Sequence, residues 1–200
     1  MTMGRSTFTA STQPTHIRRR AYRVFAMGLG LMLAAWSTAQ FAPRASDLPT
    51  ATGRAMSAPL PMRFFCASYP RECRVSPASR VVLTERIARL LRQVNADINA
   101  SIRPQDASPG GWDIYPAAGD CNDYALTKRS ALLRLGLPAG ALRMAITSTR
   151  FGSAHAILLV RTDVGDLVLD NLSTEVKSLS SSGYTIRMMS GANPQSWVKN

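Results

Sequence analysis

Three side chains in the second half of this chain have the types and the order of a nucleophilic catalytic site. Cys121 is the last of three cysteines, and His155 is one of two histidines, the other being His16 near the N terminus. Asp170 ends the strand-like run of residues 167–170. A thiol becomes a strong nucleophile when an imidazole takes its proton and a carboxylate orients that imidazole. The sequence therefore predicts a Cys121-His155-Asp170 site that attacks acyl carbon atoms.

Each of these residues also has an ordinary structural explanation. A single buried cysteine usually behaves as a small hydrophobic residue, and a lone histidine in a strand is usually a hydrogen-bonded core residue. Their combination in one exported domain, with the cysteine at a helix start, favours a catalytic site. A binding module that keeps the fold but lacks a reactive thiol is the alternative from another functional class.

The N-terminal segment has the features of an export signal. Residues 18–20 and Arg23 are basic and precede an apolar run over residues 24–36, which ends in the small residues 37–39. We predict a signal peptide over residues 1–39, with no stable membrane span after cleavage; an uncleaved anchor is the alternative. The protein is then expected to be periplasmic or secreted, where disulfides persist.

The basic charge of the chain belongs partly to this leader. The leader contains five arginines and no acidic residue, so the formal charge of +12 falls to +7 for residues 40–200. No Lys/Arg cluster interleaved with aromatic residues occurs in that remainder. Nucleic acid is therefore not an expected partner.

The rest of the chain divides into a linker and one domain. Residues 40–61 are rich in Pro, Ala, Ser and Thr without apolar periodicity, which predicts a flexible linker, and residues 62–200 are long enough for one domain with its own core. Cys66 and Cys73 bracket a Tyr-Pro turn, so in an oxidising compartment we expect them to form a local disulfide. Metal binding by this pair is the weaker alternative, because no further Cys or His lies within ligand spacing.

Two helices are predicted before the strands. Apolar residues recur at intervals of three and four between residues 84 and 102, which indicates an amphipathic helix with Thr84 as N-cap. A second helix begins at Cys121 and ends at Gly136. Its first turn favours thiolate over thiol through the helix dipole, whereas the charges of Asp120 and Asp123 oppose this effect.

Short segments of period two follow, which predicts an α+β fold with N-terminal helices followed by an antiparallel sheet. If the hairpin turn centres on Thr162 and Asp163, His155 and Asp170 are directly paired, within reach of an imidazole-to-carboxylate hydrogen bond. A shift of one or two positions leaves only a diagonal contact. The predicted strands are residues 142–149, 155–161, 167–170 and 184–189.

Short motifs surround the three candidate residues and the cysteine pair. They are residues 119–129 (GDCNDYALTKR), 154–158 (AHAIL), 165–172 (GDLVLDNL) and 194–198 (PQSWV), together with Phe65-Cys66 and Glu72-Cys73. Over roughly residues 62–200, these motifs resemble those of the bacterial transglutaminase-like cysteine proteinases, whose best-known members are periplasmic enzymes that release biofilm adhesins.

The resemblance implies a papain-like or transglutaminase-like fold and an exported peptidase that cleaves a protein substrate through a thioester. Cys121 would be the nucleophile, His155 the base and Asp170 its orienting carboxylate. An acyl-transfer enzyme would use the same three residues and differ only in whether an amine or water resolves the thioester.

The resemblance also bears on calcium. In the adhesin-cleaving branch, acidic residues that flank the cysteine bind calcium, and Asp120 matches one of them. Asn122 stands where the family usually has Glu, which removes one charge from this candidate metal site. We therefore expect no required cofactor, with calcium at Asp120 as the ligand to test.

Overall fold

The computed structural model describes residues 53–106 and 111–200. The predicted signal peptide at residues 1–39 lies outside these residues, as do residues 40–52 of the predicted linker. Across the two described ranges, no helix has both the length and the apolar character needed to cross a membrane.

The described residues form an α+β fold, as predicted from the sequence. The helices are α1 (Leu60–Ser68), α2 (Glu85–Ser101), α3 (Cys121–Arg134) and α4 (Leu179–Ser182). The strands are β1 (Arg54–Ser57), β2 (Arg103–Pro104), β3 (Ala118–Gly119), β4 (Leu142–Ser148), β5 (Ala154–Thr162), β6 (Gly165–Leu169), β7 (Lys177–Ser178), β8 (Met188–Ser190) and β9 (Ser196–Lys199).

One antiparallel sheet forms the centre of the fold. Its strand order is β1-β9-β8-β4-β5-β6-β7, while β2 and β3 form a separate parallel pair. The central strands β4 and β5 are almost completely buried. One face of the sheet packs against the main core that includes α1, α2 and α3, and the other face carries a smaller cluster around Ile157 and Leu159.

The folded structure begins earlier than the predicted boundary at residue 62. β1 pairs with β9 near the C terminus, and α1 begins at Leu60. Residues 54–61 therefore belong to the folded structure and not to a linker. The β1 sequence Arg-Ala-Met-Ser has no β-branched residue, and its strand is formed through main-chain pairing at the edge of the sheet.

Both predicted helices are confirmed. The hydroxyl of Thr84 accepts the N–H of Ile87 at 3.2 Å and caps α2, whose apolar face packs into the main core. α3 is buried on nearly all sides from residue 123 to residue 130. Gly136 lies just beyond its end with φ of +89°, a conformation that favours glycine.

The register of β5 and β6 is the shifted alternative and not the one that pairs His155 directly with Asp170. Leu158 pairs with Leu169, and Thr162 pairs with Gly165, so the turn centres on Asp163 and Val164. The Thr162 hydroxyl holds this turn, because it accepts the Val164 N–H at 3.2 Å and donates to the Gly165 carbonyl at 2.5 Å. Extending the register places residue 157 opposite residue 170, so His155 and Asp170 are diagonal neighbours on one face of the sheet.

The predicted strand over residues 184–189 is much shorter in the structure. Pairing begins at Met188, so Tyr184 lies in an irregular segment between α4 and β8. The other three predicted strands correspond to β4, β5 and β6.

The predicted disulfide between Cys66 and Cys73 is present. It joins α1 to the segment that contains Glu72, whose carboxylate accepts the Ser130 hydroxyl at 2.8 Å. The guanidinium of Arg129 lies 3.8 Å from the same carboxylate. The disulfide therefore holds a loop that is attached to the middle of α3.

Candidate active site

Cys121 is the first residue of α3, and local hydrogen bonds explain why the helix begins there. Asp120 is the N-cap, and its Oδ1 accepts the backbone N–H of Asn122 at 2.8 Å. Asp123 completes the capping box, because its Oδ2 accepts the N–H of Asp120 at 3.0 Å. As the first helical residue, Cys121 has a backbone N–H without an acceptor inside the helix.

Gly119 allows the Asp123 carboxylate to fold back over the helix start. A Cβ atom at position 119 would lie 2.6 Å from Asp123 Oδ2, which is too close for two unbonded atoms. Glycine is therefore favoured at position 119 for steric reasons, whereas Asp120 is favoured at the next position as the helix cap.

His155 and Asp170 are in direct contact. His155 Nε2 lies 2.8 Å from Asp170 Oδ1, and both residues are only 4% exposed. The sulfur of Cys121 accepts the backbone N–H of Ala156 at 3.4 Å. The helix start and strand β5 thus bring Cys121 beside the histidine, and the diagonal position of Asp170 is close enough for contact.

The charges of this group favour a protonated histidine. Burial alone lowers the pKa of His155, but hydrogen bonds and charge interactions with Asp170 and Cys121 outweigh burial and raise the pKa to about 9. Burial would raise the pKa of Asp170, but hydrogen bonds from His155, Tyr184 and the Leu172 N–H outweigh it and hold the pKa below its ordinary value. An imidazolium–carboxylate pair is therefore favoured at neutral pH.

Tyr184 is a site residue that sequence reasoning missed. Its hydroxyl donates to Asp170 Oδ2 at 2.5 Å, and its ring centroid lies 5.9 Å from that of His155. Burial and the interaction with Asp170 raise the pKa of Tyr184. No motif or spacing in the sequence connects residue 184 with residue 170.

Lys128 is a second neighbour that sequence reasoning missed. Its side chain is completely buried in α3, with Nζ 5.9 Å from the centroid of the Tyr124 ring, and no hydrogen-bond partner for Nζ lies among the described residues. Burial lowers the pKa of Lys128 to about 7, against the opposing charge of Asp170. Asp170 therefore interacts electrostatically with a second basic side chain besides His155.

The carboxylates of Asp120 and Asp123 accept hydrogen bonds from neighbouring N–H groups. Asp120 Oδ1 accepts the backbone N–H of Asn122 at 2.8 Å and the side-chain amide of the same residue at 3.0 Å. The Asp123 carboxylate accepts the backbone N–H groups of Asp113 and Asp120. Calcium takes about six to eight oxygen ligands. Within residues 53–106 and 111–200, no group of three or more His, Cys, Asp or Glu side chains is placed to hold a metal ion.

Solved structures with similarity to this chain include LapG from Legionella pneumophila. The calcium-bound form is 24% identical, covers 52% of this chain and 64% of that chain, and has a TM-score of 0.47. The EGTA-treated form is 25% identical, covers 51% of this chain and 62% of that chain, and has a TM-score of 0.46. The chain thus spans less than two thirds of LapG. No curated protein matches the sequence significantly.

A family model described as bacterial transglutaminase-like cysteine proteinase matches residues 52–200. This range contains the whole antiparallel sheet together with Cys121, His155 and Asp170. It covers well over half of the chain. The chain belongs to the family of bacterial transglutaminase-like cysteine proteinases.

Proposed function

We propose that this protein is an exported cysteine peptidase that cleaves a protein substrate with Cys121, His155 and Asp170. The observation that carries the proposal is their arrangement: a cysteine at a helix start, beside a histidine whose Nε2 lies 2.8 Å from a buried carboxylate. Membership of a cysteine proteinase family supports the same chemistry.

In the first half of the proposed reaction, Cys121 forms a thioester with the substrate. His155 takes the thiol proton, and the interactions that raise its pKa to about 9 favour the imidazolium that results. The thiolate attacks the amide carbonyl carbon, and the Cys121 N–H is the donor that we assign to the developing oxyanion. The C–N bond then breaks as the His155 imidazolium gives its proton to the leaving amine.

In the second half, water resolves the thioester. The neutral His155 takes a proton from water, the hydroxide oxygen bonds to the acyl carbon, and the C–S bond breaks to restore the Cys121 thiolate. Asp170 orients the imidazole through Nε2 and stabilises each imidazolium that forms.

Export is part of this proposal. The basic and apolar leader supports it, and so does the Cys66–Cys73 disulfide, because disulfides persist in oxidising compartments. The proposed substrate is therefore a periplasmic or surface protein.

A comparison of exported proteins tests the proposed function. Cells that produce the wild-type chain should contain at least one protein fragment with a new N terminus that is missing from cells producing Cys121→Ala, as measured by mass spectrometry. New isopeptide cross-links without new N termini would contradict peptidase activity and indicate acyl transfer. The absence of any Cys121-dependent product would contradict both activities.

We propose further that calcium is not required, because the residue beside the nucleophile, Asn122, is a neutral amide that donates to Asp120 Oδ1 and brings no charge to a cation site. Dialysis against EGTA should leave kcat/KM and the melting temperature unchanged within error. Asp120→Asn, which keeps a capping oxygen but removes the charge, is the matched variant. A calcium-dependent rise in melting temperature that Asp120→Asn abolishes would contradict this expectation.

The pH dependence of activity should report the titration of His155. Its pKa in the folded protein lies above the ordinary 6.5, so the imidazolium persists through neutral pH and is lost as the pH rises through about 9. We expect kcat/KM to fall about tenfold per pH unit above that point. The raised pKa also stabilises the folded protein. This contribution is complete below pH 6.5 and is lost as the pH rises through about 9. A decline centred between pH 6 and 7, or none up to about pH 10, would disagree with this assignment.

A further inference from the structure

The proposed mechanism uses only one of the two carboxylate oxygens of Asp170. Oδ1 is 2.8 Å from His155 Nε2 and accepts the N–H of Leu172 at 3.0 Å. Oδ2 accepts the hydroxyl of Tyr184 at 2.5 Å. A carboxylate with separate donors at its two oxygens is restrained against rotation about the Cβ–Cγ bond.

We propose that Tyr184 is a positioning residue of the peptidase site, whose hydroxyl holds the Asp170 carboxylate in the plane that meets the His155 imidazole. The inference rests on the proposed function, since it concerns how that site is kept in order. In this proposal Tyr184 acts through Asp170 and does not contact the substrate.

Burial makes this hydroxyl important. Asp170 is 4% exposed, and no other described residue donates a hydrogen bond to Oδ2. Without the Tyr184 hydroxyl, a buried carboxylate oxygen would lose its donor, and an ionised group without a donor is costly inside a protein. Asp170 would then take up a proton at higher pH, and a protonated Asp170 no longer stabilises the His155 imidazolium.

The change Tyr184→Phe removes the hydroxyl and keeps the ring. The ring is needed in the variant because Tyr184 also lines an open cavity of about 820 Å³ together with Leu172 and the turn that contains Phe151. The lining of this cavity is therefore expected to stay the same. His155 and Lys128, the other titratable groups that interact with Asp170, are retained, as is Asn99, whose amide donates to the Asp170 carbonyl.

Iodoacetamide is a probe that needs no knowledge of the substrate. Cys121 is the free cysteine of the chain, because the other two form the disulfide. Its thiolate forms a bond to the methylene carbon of the reagent and displaces iodide. The alkylation rate at pH 5 depends on the thiolate–imidazolium pair, whereas the rate at pH 10 reports the thiolate without help from His155.

We expect the ratio of the rate at pH 5 to the rate at pH 10 to fall about tenfold in Tyr184→Phe, the size of effect that one charge-assisted hydrogen bond can produce. Tyr124→Phe is the matched control, because it removes a hydroxyl that donates at 2.5 Å to the Ile102 carbonyl. This control should lower the melting temperature and leave the ratio unchanged.

Two results would overturn the inference about Tyr184. One is a folded Tyr184→Phe protein with the wild-type ratio, and the other is an equal fall in Tyr124→Phe, which would indicate general loosening. Circular dichroism of each variant shows whether it is folded. A wild-type Cys121 that reacts at pH 5 no faster than free cysteine would instead contradict the proposed function itself, so the two failures are distinguishable.

Discussion

Replacing Cys121 with alanine should abolish turnover and leave the protein folded. The expected loss in kcat is about 10⁶, the size seen when a nucleophile is removed from a comparable catalytic triad. Cys121 is only partly buried, and its sulfur takes part in a long hydrogen bond from the Ala156 N–H at 3.4 Å and in one with His155. The free energy of unfolding should therefore change by less than about 1 kcal/mol. The measurements are kcat on a peptide that spans the identified cleavage site, and the melting temperature.

The double variant Cys66→Ala/Cys73→Ala is the matched control for this prediction. It removes two sulfur atoms but keeps Cys121, and loss of its short disulfide loop should lower stability by about 2 to 3 kcal/mol. Below its melting temperature the control should keep most of the wild-type kcat. Full turnover by Cys121→Ala, or loss of turnover only in the disulfide variant, would rule out Cys121 as the nucleophile.

The helices could be predicted because their signals are local. Thr84 and Ile87 lie within one helical turn, and so do Asp120 and Asp123, so the capping residues can be read from a few positions of sequence. The placement of Cys121 at a helix start followed from the same short-range information.

The sheet was harder to predict because its pairing depends on distant residues. β1 and β9 lie at opposite ends of the described structure, and nothing near residue 54 indicates the partner. The register of β5 and β6 did have a local signal, the Thr162 hydroxyl that holds the turn at Asp163 and Val164. The observed register differs from the predicted one by an even number of positions, and side chains alternate between the two faces with a period of two. His155 and Asp170 therefore still share a face of the sheet.

The residues around Asp170 show a different limit of sequence reasoning. Tyr184 reaches Asp170 because the chain between β6 and β8 folds back, and Lys128 of α3 interacts with the charge of Asp170. Neither interaction follows a strand or helix period. A half-buried tyrosine and a buried lysine become recognisable as neighbours of the carboxylate only when the tertiary structure is known.

The change Asp170→Asn tests whether the carboxylate has a chemical role. We expect kcat to fall by about 10⁴, as in the analogous change in a serine triad, because an amide favours the wrong imidazole tautomer and cannot stabilise the imidazolium. The pKa of His155 should fall from about 9, since interactions with Asp170 raise it. The alkaline limb of activity should move to lower pH in the residual reaction.

Asp170→Ala is the matched variant, because it removes the charge and also the two carboxylate oxygens that bond to His155 and Tyr184. If the negative charge is essential, the two variants should lose similar amounts of turnover. If Asp170 only orients the imidazole, Asp170→Asn should keep turnover and Asp170→Ala should lose it, as expected for cysteine enzymes whose third residue is an amide. The opposing result is that both variants keep normal turnover while their free energy of unfolding falls by about 1 kcal/mol. That result would make Asp170 a structural residue and leave a Cys121–His155 dyad.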